Sequence, residues 1–186
     1  MTNKKYFFIG IGGIGMSSIA QYLHEKENTI LGYDASENKS IKILLKKGID
    51  VINKLSLKSI PDYMKKDDVI VVYTPAIPDD NIFLKYFRKN GNNQIYKRSE
   101  MLGEISRQSK CIAVAGTHGK TTTSAIISHL FHSSGIHFKA FIGGIMKCFD
   151  SNFINTGNDY IIVEADEYDR SFLNLNPNYA VITSIE

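Results

Sequence analysis

Apolar residues along this chain fall in short, sharply bounded runs, and stretches with helical periodicity lie between them. Tyr6–Ile9 is a short apolar run, Thr29–Tyr33 a second short strand, and Val69–Tyr73 a nearly continuous apolar run, the pattern of a strand covered on both faces. Within residues 16–25 the apolar positions Ile19, Ala20 and Leu23 share one helical face, and Ile41, Leu44 and Leu45 do the same within 35–47. TPAIPDDN (74–81) carries two prolines close together and predicts a loop. Phe83–Phe87 predicts a helix, Gln94–Tyr96 a brief strand, and a further helix runs from Ser99 to about Arg107. At Cys111 the pattern starts afresh. Cys111–Ala115 predicts a strand, GTHGKTTT (116–123) a glycine-containing loop, and Ser124–Phe131 a helix. Strands follow at Phe138–Ile142, leading into Gly143-Gly144, at Tyr160–Val163, leading into EADEYD, and at Tyr179–Ile185.

Alternating strands and helices specify an α/β fold with largely parallel sheets. The expected organisation is a Rossmann-like N-terminal domain over residues 1–108, followed by an incomplete P-loop α/β domain over 109–186. The second is read as incomplete because the chain stops directly after a strand, without the helix that would return over the sheet.

Composition narrows the class without choosing an activity. Of the 186 residues, 43% are hydrophobic and 22% charged, as in ordinary folded domains and unlike disordered chains. No apolar run approaches the ~20 residues that span a bilayer, so stable membrane insertion is not expected. The net charge is +3, with lysines scattered and clustered only in pairs such as Lys65-Lys66. Nucleic-acid binders gather positive charge into a stripe or patch, so no nucleic-acid partner is expected. The mild surplus suits phosphate-bearing small ligands. Cys111 and Cys148 stand far apart with no C-x-x-C spacing, which fits a reducing, cytoplasmic setting. Nothing in the sequence sets an oligomeric state.

Two glycine loops carry the chemistry. Gly10, Gly12 and Gly15 match G-x-G-x-x-G between a strand and a helix, with Asp34 at the end of the next strand about 20 residues on. Glycines let the backbone approach phosphates, the helix N-terminus favours their charge, and Asp34 is placed to accept hydrogen bonds from a ribose hydroxyl. This fingerprint does not separate NAD from another diphosphate-bearing ligand. The second loop ends in Gly119-Lys120-Thr121, the G-K-[ST] of a P-loop, but Val114 stands where the first glycine of the full pattern belongs and the other loop glycine is Gly116. Backbone N–H groups would surround phosphates there, Lys120 would reach the outer phosphates, and the Thr121 hydroxyl would ligate Mg²⁺. Glu164, directly after the strand YIIV, is the matching acid, with Asp166, Glu167 and Asp169 crowding the same loop. One site for a nucleotide-linked substrate and another for ATP suggest an enzyme that spends ATP on a nucleotide-bound substrate. His24, His129, His132 and His137 show no zinc spacing with cysteine.

With these loops in place the chain resembles the Mur ligase family. The residues that carry the resemblance are FIGIGGIGMSSIA (8–20), YTPAIPDDN (73–81), AVAGTHGKTTTSAI (113–126), Gly143-Gly144, EADEYDRSFL (164–173) and ITSIE (182–186). The pairing of GIGGIGMS with EADEYDRSFL points to the alanine-adding branch. The resemblance implies three domains, for the UDP-linked substrate, for ATP, and a C-terminal one that closes over ATP and the amino acid. The chain would hold the first and the start of the second, and would alone be inactive.

The implied reaction joins L-alanine to the carboxylate of UDP-N-acetylmuramate through an acyl phosphate, with ATP and Mg²⁺, in peptidoglycan precursor synthesis. Gly10, Gly12, Gly13, Gly15 and Met16 would line the diphosphate, Asp34 would sit near the uridine, and Thr74, Arg98 and Glu167 would also meet substrate. Arg98 also reads as a surface residue only. Gly116, Thr117, Gly119, Lys120, Thr121 and Thr122 would hold ATP, with Thr121 and Glu164 on the metal. Lys120 and His118 are the catalytic candidates, though His118 also reads as a residue that shapes the loop through its backbone. Asp166, Glu167 and Asp169 would orient the amino-acid ammonium or metal-bound waters, with Arg170 as a pairing partner. The family loop after the fourth strand often reads S-S-A-I. Here Thr74 keeps a hydroxyl while Pro75 removes an N–H donor. The other class of function open at this point is a UDP-sugar or dinucleotide-binding module without ligation, or a regulatory P-loop ATPase.

Overall fold

The computed structural model describes residues 3–66, 68–89, 93–166 and 172–185. The chain forms two compact units, Met1–Arg98 and Ser99–Glu186.

In the first unit five strands form one sheet in the order β3-β2-β1-β4-β5, with every pairing parallel. The strands are β1 (Lys5–Ile9), β2 (Thr29–Tyr33), β3 (Asp50–Ile52), β4 (Val69–Tyr73) and β5 (Ile95–Lys97), and the helices between them are α1 (Ile14–Glu25), α2 (Lys39–Lys46) and α3 (Ile82–Lys89). The β1 residues Phe7 and Phe8 point to opposite faces, and both are fully buried. That double burial is why the strand reads as an unbroken apolar run. On the Phe7 side Phe83 and Phe87 of α3 meet the sheet, with Phe7–Phe83 ring centroids 5.5 Å apart and edge-on. Asn81 caps α3 with its buried carbonyl, accepting from the amides of Phe83 and Leu84.

Three details differ from the sequence expectation. First, α2 starts at Lys39, later than the predicted 35–47. Residues 34–38 instead bond locally: the Asp34 carboxylate accepts from Ser36 N and Oγ, and Asn38 caps the helix by accepting from Ile41 N. Short polar side chains compete with helical bonds in this way. Second, the short edge strand β3 and two 3-10 turns, Leu57–Ser59 and Asp62–Met64, were not predicted. Three residues give too little periodicity to detect, although Ile60 and Met64 enter the core here. Third, α1 buries Ser17, Ser18 and Gln21 beside its apolar face. The two serine hydroxyls donate to the carbonyls of Ile14 and Gly15, and the Gln21 amide to that of Ser17, so buried polar groups are satisfied within the helix.

The second unit holds a sheet in the order β10-β6-β9-β7-β8, built from β6 (Lys110–Ala115), β7 (Phe138–Met146), β8 (Ser151–Asn155), β9 (Tyr160–Glu164) and β10 (Tyr179–Ile182). All pairs are parallel except β7 with β8. Helix α4 (Arg98–Ser106) begins at the boundary between the units, and α5 (Lys120–Ser133) follows β6. Ile112, Ala140 and Ile162 from three adjacent strands, with Phe138, form a core against which Ile127 and Phe131 of α5 pack. β8 was missed because SNFIN is polar in composition, yet four of its five residues are buried. Helix α5 starts four residues before the predicted Ser124, because Gly119 in the left-handed region (φ 83°) turns the loop straight into it. Strand β7 runs on through Gly143-Gly144, where the prediction stopped.

Cys111 is fully buried, and burial pushes its thiol up to about 11, whereas Cys148 is exposed. Among the described residues no helix is long and apolar enough to cross a membrane.

Candidate functional site

In the first unit the sheet order changes direction between β1 and β4. Ligands of open parallel sheets bind at such a switch point, outside the C-terminal strand ends. Ile9 is level with Tyr73 in the sheet, so the loops that begin at Gly10 and Thr74 lie side by side. Gly10 adopts φ 84°, and a Cβ on it would stand 2.8 Å from the Thr74 methyl. Both the backbone conformation and the close approach of Thr74 therefore require glycine there. Thr74 O accepts from Ile77 N at 3.0 Å. Pro75 is the second residue of this turn, where its fixed φ helps and an N–H is not needed.

The amides of Gly10 and Ile11 both donate to Tyr33 O, and that of Gly12 to Asp34 Oδ2 at 2.8 Å. The loop is thus tied to the end of β2. Asn38 Nδ2 donates to Gly12 O at 3.2 Å, so the α2 cap holds the same loop. Asp34, expected near a ribose, places one carboxylate oxygen on the Gly12 amide and the other on Ser36. Each oxygen accepts more than one hydrogen bond, and Asp34 positions the loop whatever else it meets. Ser36 and Asn38 were not singled out from sequence. Their signal was the Asx pattern following Asp34.

Gly13 caps α1 without a side-chain hydrogen bond, and no acidic residue stands in the first turn. The first helical bond runs from Ser17 N to Gly13 O, so the helix N-terminus opens at this loop, a place where the helix dipole favours an anion. Arg98 lies over this end, its Nη1 2.8 Å from where a Gly15 Cβ would stand. Met16 departs from expectation. Its side chain is 1% exposed and belongs to the core, so the side chain does not line the loop.

The second unit repeats the design with different chemistry. β6 lies between β9 and β10, with Val114 level with Glu164 and Ala115 level with Ile182. The loop after β6 is thus flanked by the C-terminal ends of both neighbours. Gly116 (φ 128°) and Gly119 (φ 83°) bend it, and Lys120 folds back so that Nζ donates to the carbonyls of Gly116 and Thr117. Gly119 caps α5 without a side-chain bond and with no acid in the first turn, and the first helical bond is Thr123 N to Gly119 O at 2.9 Å. The amides of Thr117 and His118, expected to face phosphate, point to Ser184 O and Ser184 Oγ at 3.1 Å each. The first turn of α5, which includes Thr121 and Thr122, forms the helix N-terminus at this loop.

Thr121 Oγ1 donates to Glu164 Oε2 at 3.0 Å, and Glu164 Oε1 accepts from Gly143 N at 2.7 Å. A Cβ on Gly143 would stand 2.5 Å from Glu164 Oε2 and 3.1 Å from Thr121 Oγ1, so the Gly143-Gly144 pair makes room for this contact. Two hard oxygen donors side by side at the N-terminus of a phosphate-loop helix suit Mg²⁺, which takes one or two protein ligands and completes its shell with phosphates and water. No group of three or more His, Cys, Asp or Glu residues fit to hold a metal occurs among the described residues. Asp166 is half-buried two residues beyond Glu164. Glu167, Asp169 and Arg170 lie outside the described residues. A groove of about 510 Å³ opens beside Thr121 and Thr122, lined by Ile126, Leu130, Ile142 and Met146. Its apolar walls distinguish it from the phosphate loop it adjoins.

The model of the Mur ligase family, catalytic domain, matches residues 5–110. The chain belongs to the Mur ligase family. Among its curated relatives within that family, the UDP-N-acetylmuramate--L-alanine ligase of Porphyromonas gingivalis is 46% identical over 185 residues, 98% of this chain and 40% of the relative. The solved UDP-N-acetylmuramate-alanine ligase of Thermotoga maritima superposes with a TM-score of 0.88 at 31% identity, covering 98% of this chain and 41% of that one. A Neisseria meningitides family member, UDP-N-acetylmuramate:L-alanyl-gamma-D-glutamyl-meso-diaminopimelate ligase, also gives 0.88, at 25% identity over all of this chain and 61% of its own. Backbone likeness is equal for the two, and the UDP-N-acetylmuramate-alanine ligase is the more similar in sequence. The chain spans about 40% of the length of the curated relatives it matches.

Proposed function

We propose that this chain serves an ATP-dependent ligase of peptidoglycan precursor synthesis, which joins the amine of L-alanine to the carboxylate of UDP-N-acetylmuramate. The observation that carries the reading is the Thr121–Glu164 oxygen pair at a phosphate loop, in a chain whose other unit has a separate glycine-loop anion site. A dehydrogenase needs only the first of these sites, and a simple ATPase only the second. The relatives named above support the choice of substrates.

A carboxylate is a poor acyl donor because oxide is a poor leaving group. In the proposed reaction the carboxylate oxygen attacks the γ-phosphoryl group of ATP, releasing ADP. The amine of alanine then attacks the acyl phosphate carbon, phosphate leaves, and the amine loses a proton to give the amide. In phosphoryl transfer the protein mainly positions groups and offsets spreading negative charge. Lys120 takes the β/γ-phosphate side, and its flexible stem lets it leave the Gly116 and Thr117 carbonyls for phosphate oxygens. The first turn of α5 supplies amides through Gly119, Thr121 and Thr122, while Gly116 and Thr117 shape the approach. Thr121 and Glu164 hold Mg²⁺, which neutralises phosphate charge when bound. His118, exposed in the loop, faces the reacting carboxylate. In the first unit Gly10, Gly12, Gly13, Gly15 and the Met16 amide receive the UDP diphosphate with Arg98, Asp34 braces the loop by the uridine, and Thr74 closes over Gly10. Glu167 is assigned to the amino-acid side of the substrate. Substrates of this kind place the reaction in the cytoplasm.

Calorimetric titration with UDP-N-acetylmuramate and, separately, NAD tests the substrate assignment. The expected result is one site per chain for the UDP-sugar and no heat from NAD. Binding of NAD with no response to the UDP-sugar would contradict the reading.

A further inference from the structure

The segment after β10 makes a set of contacts that neither the strand ladder nor the proposed chemistry requires. Thr183 N continues the pairing with Ala115 O at 3.0 Å. The Thr183 hydroxyl then reaches two carbonyls, Ala115 O at 3.1 Å and His118 O at closer range. Ala115 is where the chain leaves β6, and His118 stands just before the turn into α5. One hydroxyl thus links the entry and the exit of the loop. Ser184 does the complementary work on the donors, its carbonyl accepting from Thr117 N and its hydroxyl from His118 N. The fit is close, since a Cβ on Gly116 would stand 2.2 Å from Thr183 Oγ1 and 2.8 Å from Ser184 N.

We propose that Thr183 and Ser184 are positioning residues for nucleotide phosphates, clamping the β6–α5 loop from the neighbouring strand end. The clamp turns the Thr117 and His118 amides away from the anion and fixes the first turn of α5 as its donor set. It also holds the Gly116 and Thr117 carbonyls where Lys120 can rest on them. A loop shorter in its glycine spacing than the full P-loop pattern encloses phosphate with fewer of its own amides, and bracing from β10 supplies rigidity that the missing turn would otherwise give. The inference rests on the reading of this loop as a phosphate site.

The test compares Mg·ATP binding by the wild-type chain and by Thr183→Val, Thr183→Ser and Ser184→Ala, at a temperature where circular dichroism shows each fully folded. Thr183→Val keeps the shape and one methyl but removes the hydroxyl. It is expected to lower affinity by roughly tenfold, the upper end of what one lost hydrogen bond is worth. Thr183→Ser restores the hydroxyl and is expected to stay within about threefold of wild type. Ser184→Ala is expected to weaken binding in the same direction, and it stands in if the valine variant does not fold. Affinity unchanged in Thr183→Val and Ser184→Ala would overturn the clamp while leaving the phosphate loop intact. So would a failure of serine to rescue. If the wild type itself shows no Mg·ATP binding, the phosphate-loop reading fails and the clamp with it.

Discussion

Lys120→Ala is expected to lower the affinity for Mg·ATP by about 10- to 100-fold while leaving UDP-N-acetylmuramate binding unchanged. The estimate follows from one charge-assisted contact to phosphate, worth roughly 1.5–3 kcal/mol, with tenfold in affinity for every 1.4 kcal/mol. In the structure Nζ rests on the carbonyls of Gly116 and Thr117. Thr117 is exposed, so its carbonyl regains water when the lysine is removed, whereas Gly116 is buried and its carbonyl loses a partner, a cost of about 1–3 kcal/mol to the fold. Lys120→Arg is expected to recover only part of the affinity, because a planar fork does not replace a compact ammonium at the same point. Isothermal titration of both ligands with each variant checks this. Equal weakening of the UDP-sugar would show that Lys120 acts on the whole fold instead.

The second large effect is on stability. Gly116 and Gly135 both lie in the left-handed region, at φ 128° and 68°, but their surroundings differ. A Cβ on Gly135 meets nothing within 4 Å, whereas on Gly116 it meets Thr183 Oγ1 at 2.2 Å and two Ser184 backbone atoms within 2.9 Å. Gly135→Ala therefore bears only backbone strain, about 1–2 kcal/mol. Gly116→Ala adds an overlap that backbone must move to relieve, for a total of about 3–5 kcal/mol. For a unit of this size each kcal/mol shifts the midpoint by about 4–8 °C. Thermal unfolding should thus show a fall of about 12–40 °C in the second unit's transition for Gly116→Ala, against about 4–16 °C for Gly135→Ala. Similar shifts in the two variants would mean that Thr183 and Ser184 are not held against Gly116.

What could be read from sequence was local. The strands β1, β4, β6 and β9 announce themselves because residues such as Phe7, Phe8, Ile161 and Ile162 are buried on both faces. The two glycine loops are legible because backbone conformation at Gly10, Gly116 and Gly119 leaves a direct mark on residue choice. Glu164 was legible because it ends a strand. What escaped depends on which strands are neighbours. Strand β8 hides its buried positions behind Ser151 and Asn152. That Asp34 spends its carboxylate on Gly12 follows only once β1 and β2 are known to be adjacent. Thr183 and Ser184 are ordinary residues in sequence, and they meet the second loop only because β10 pairs with β6 in register.

The central claim is that two different ligands occupy two separate glycine loops of this chain. Amide hydrogen exchange with peptide-level readout tests it most directly, using UDP-N-acetylmuramate and Mg·ATP in turn. The account predicts two disjoint footprints. The UDP-sugar should slow exchange in residues 10–17 and 34–38, and Mg·ATP should slow it in residues 116–123 and around Gly143. Protection of the first loop by Mg·ATP, or of the same segments by both ligands, would contradict it.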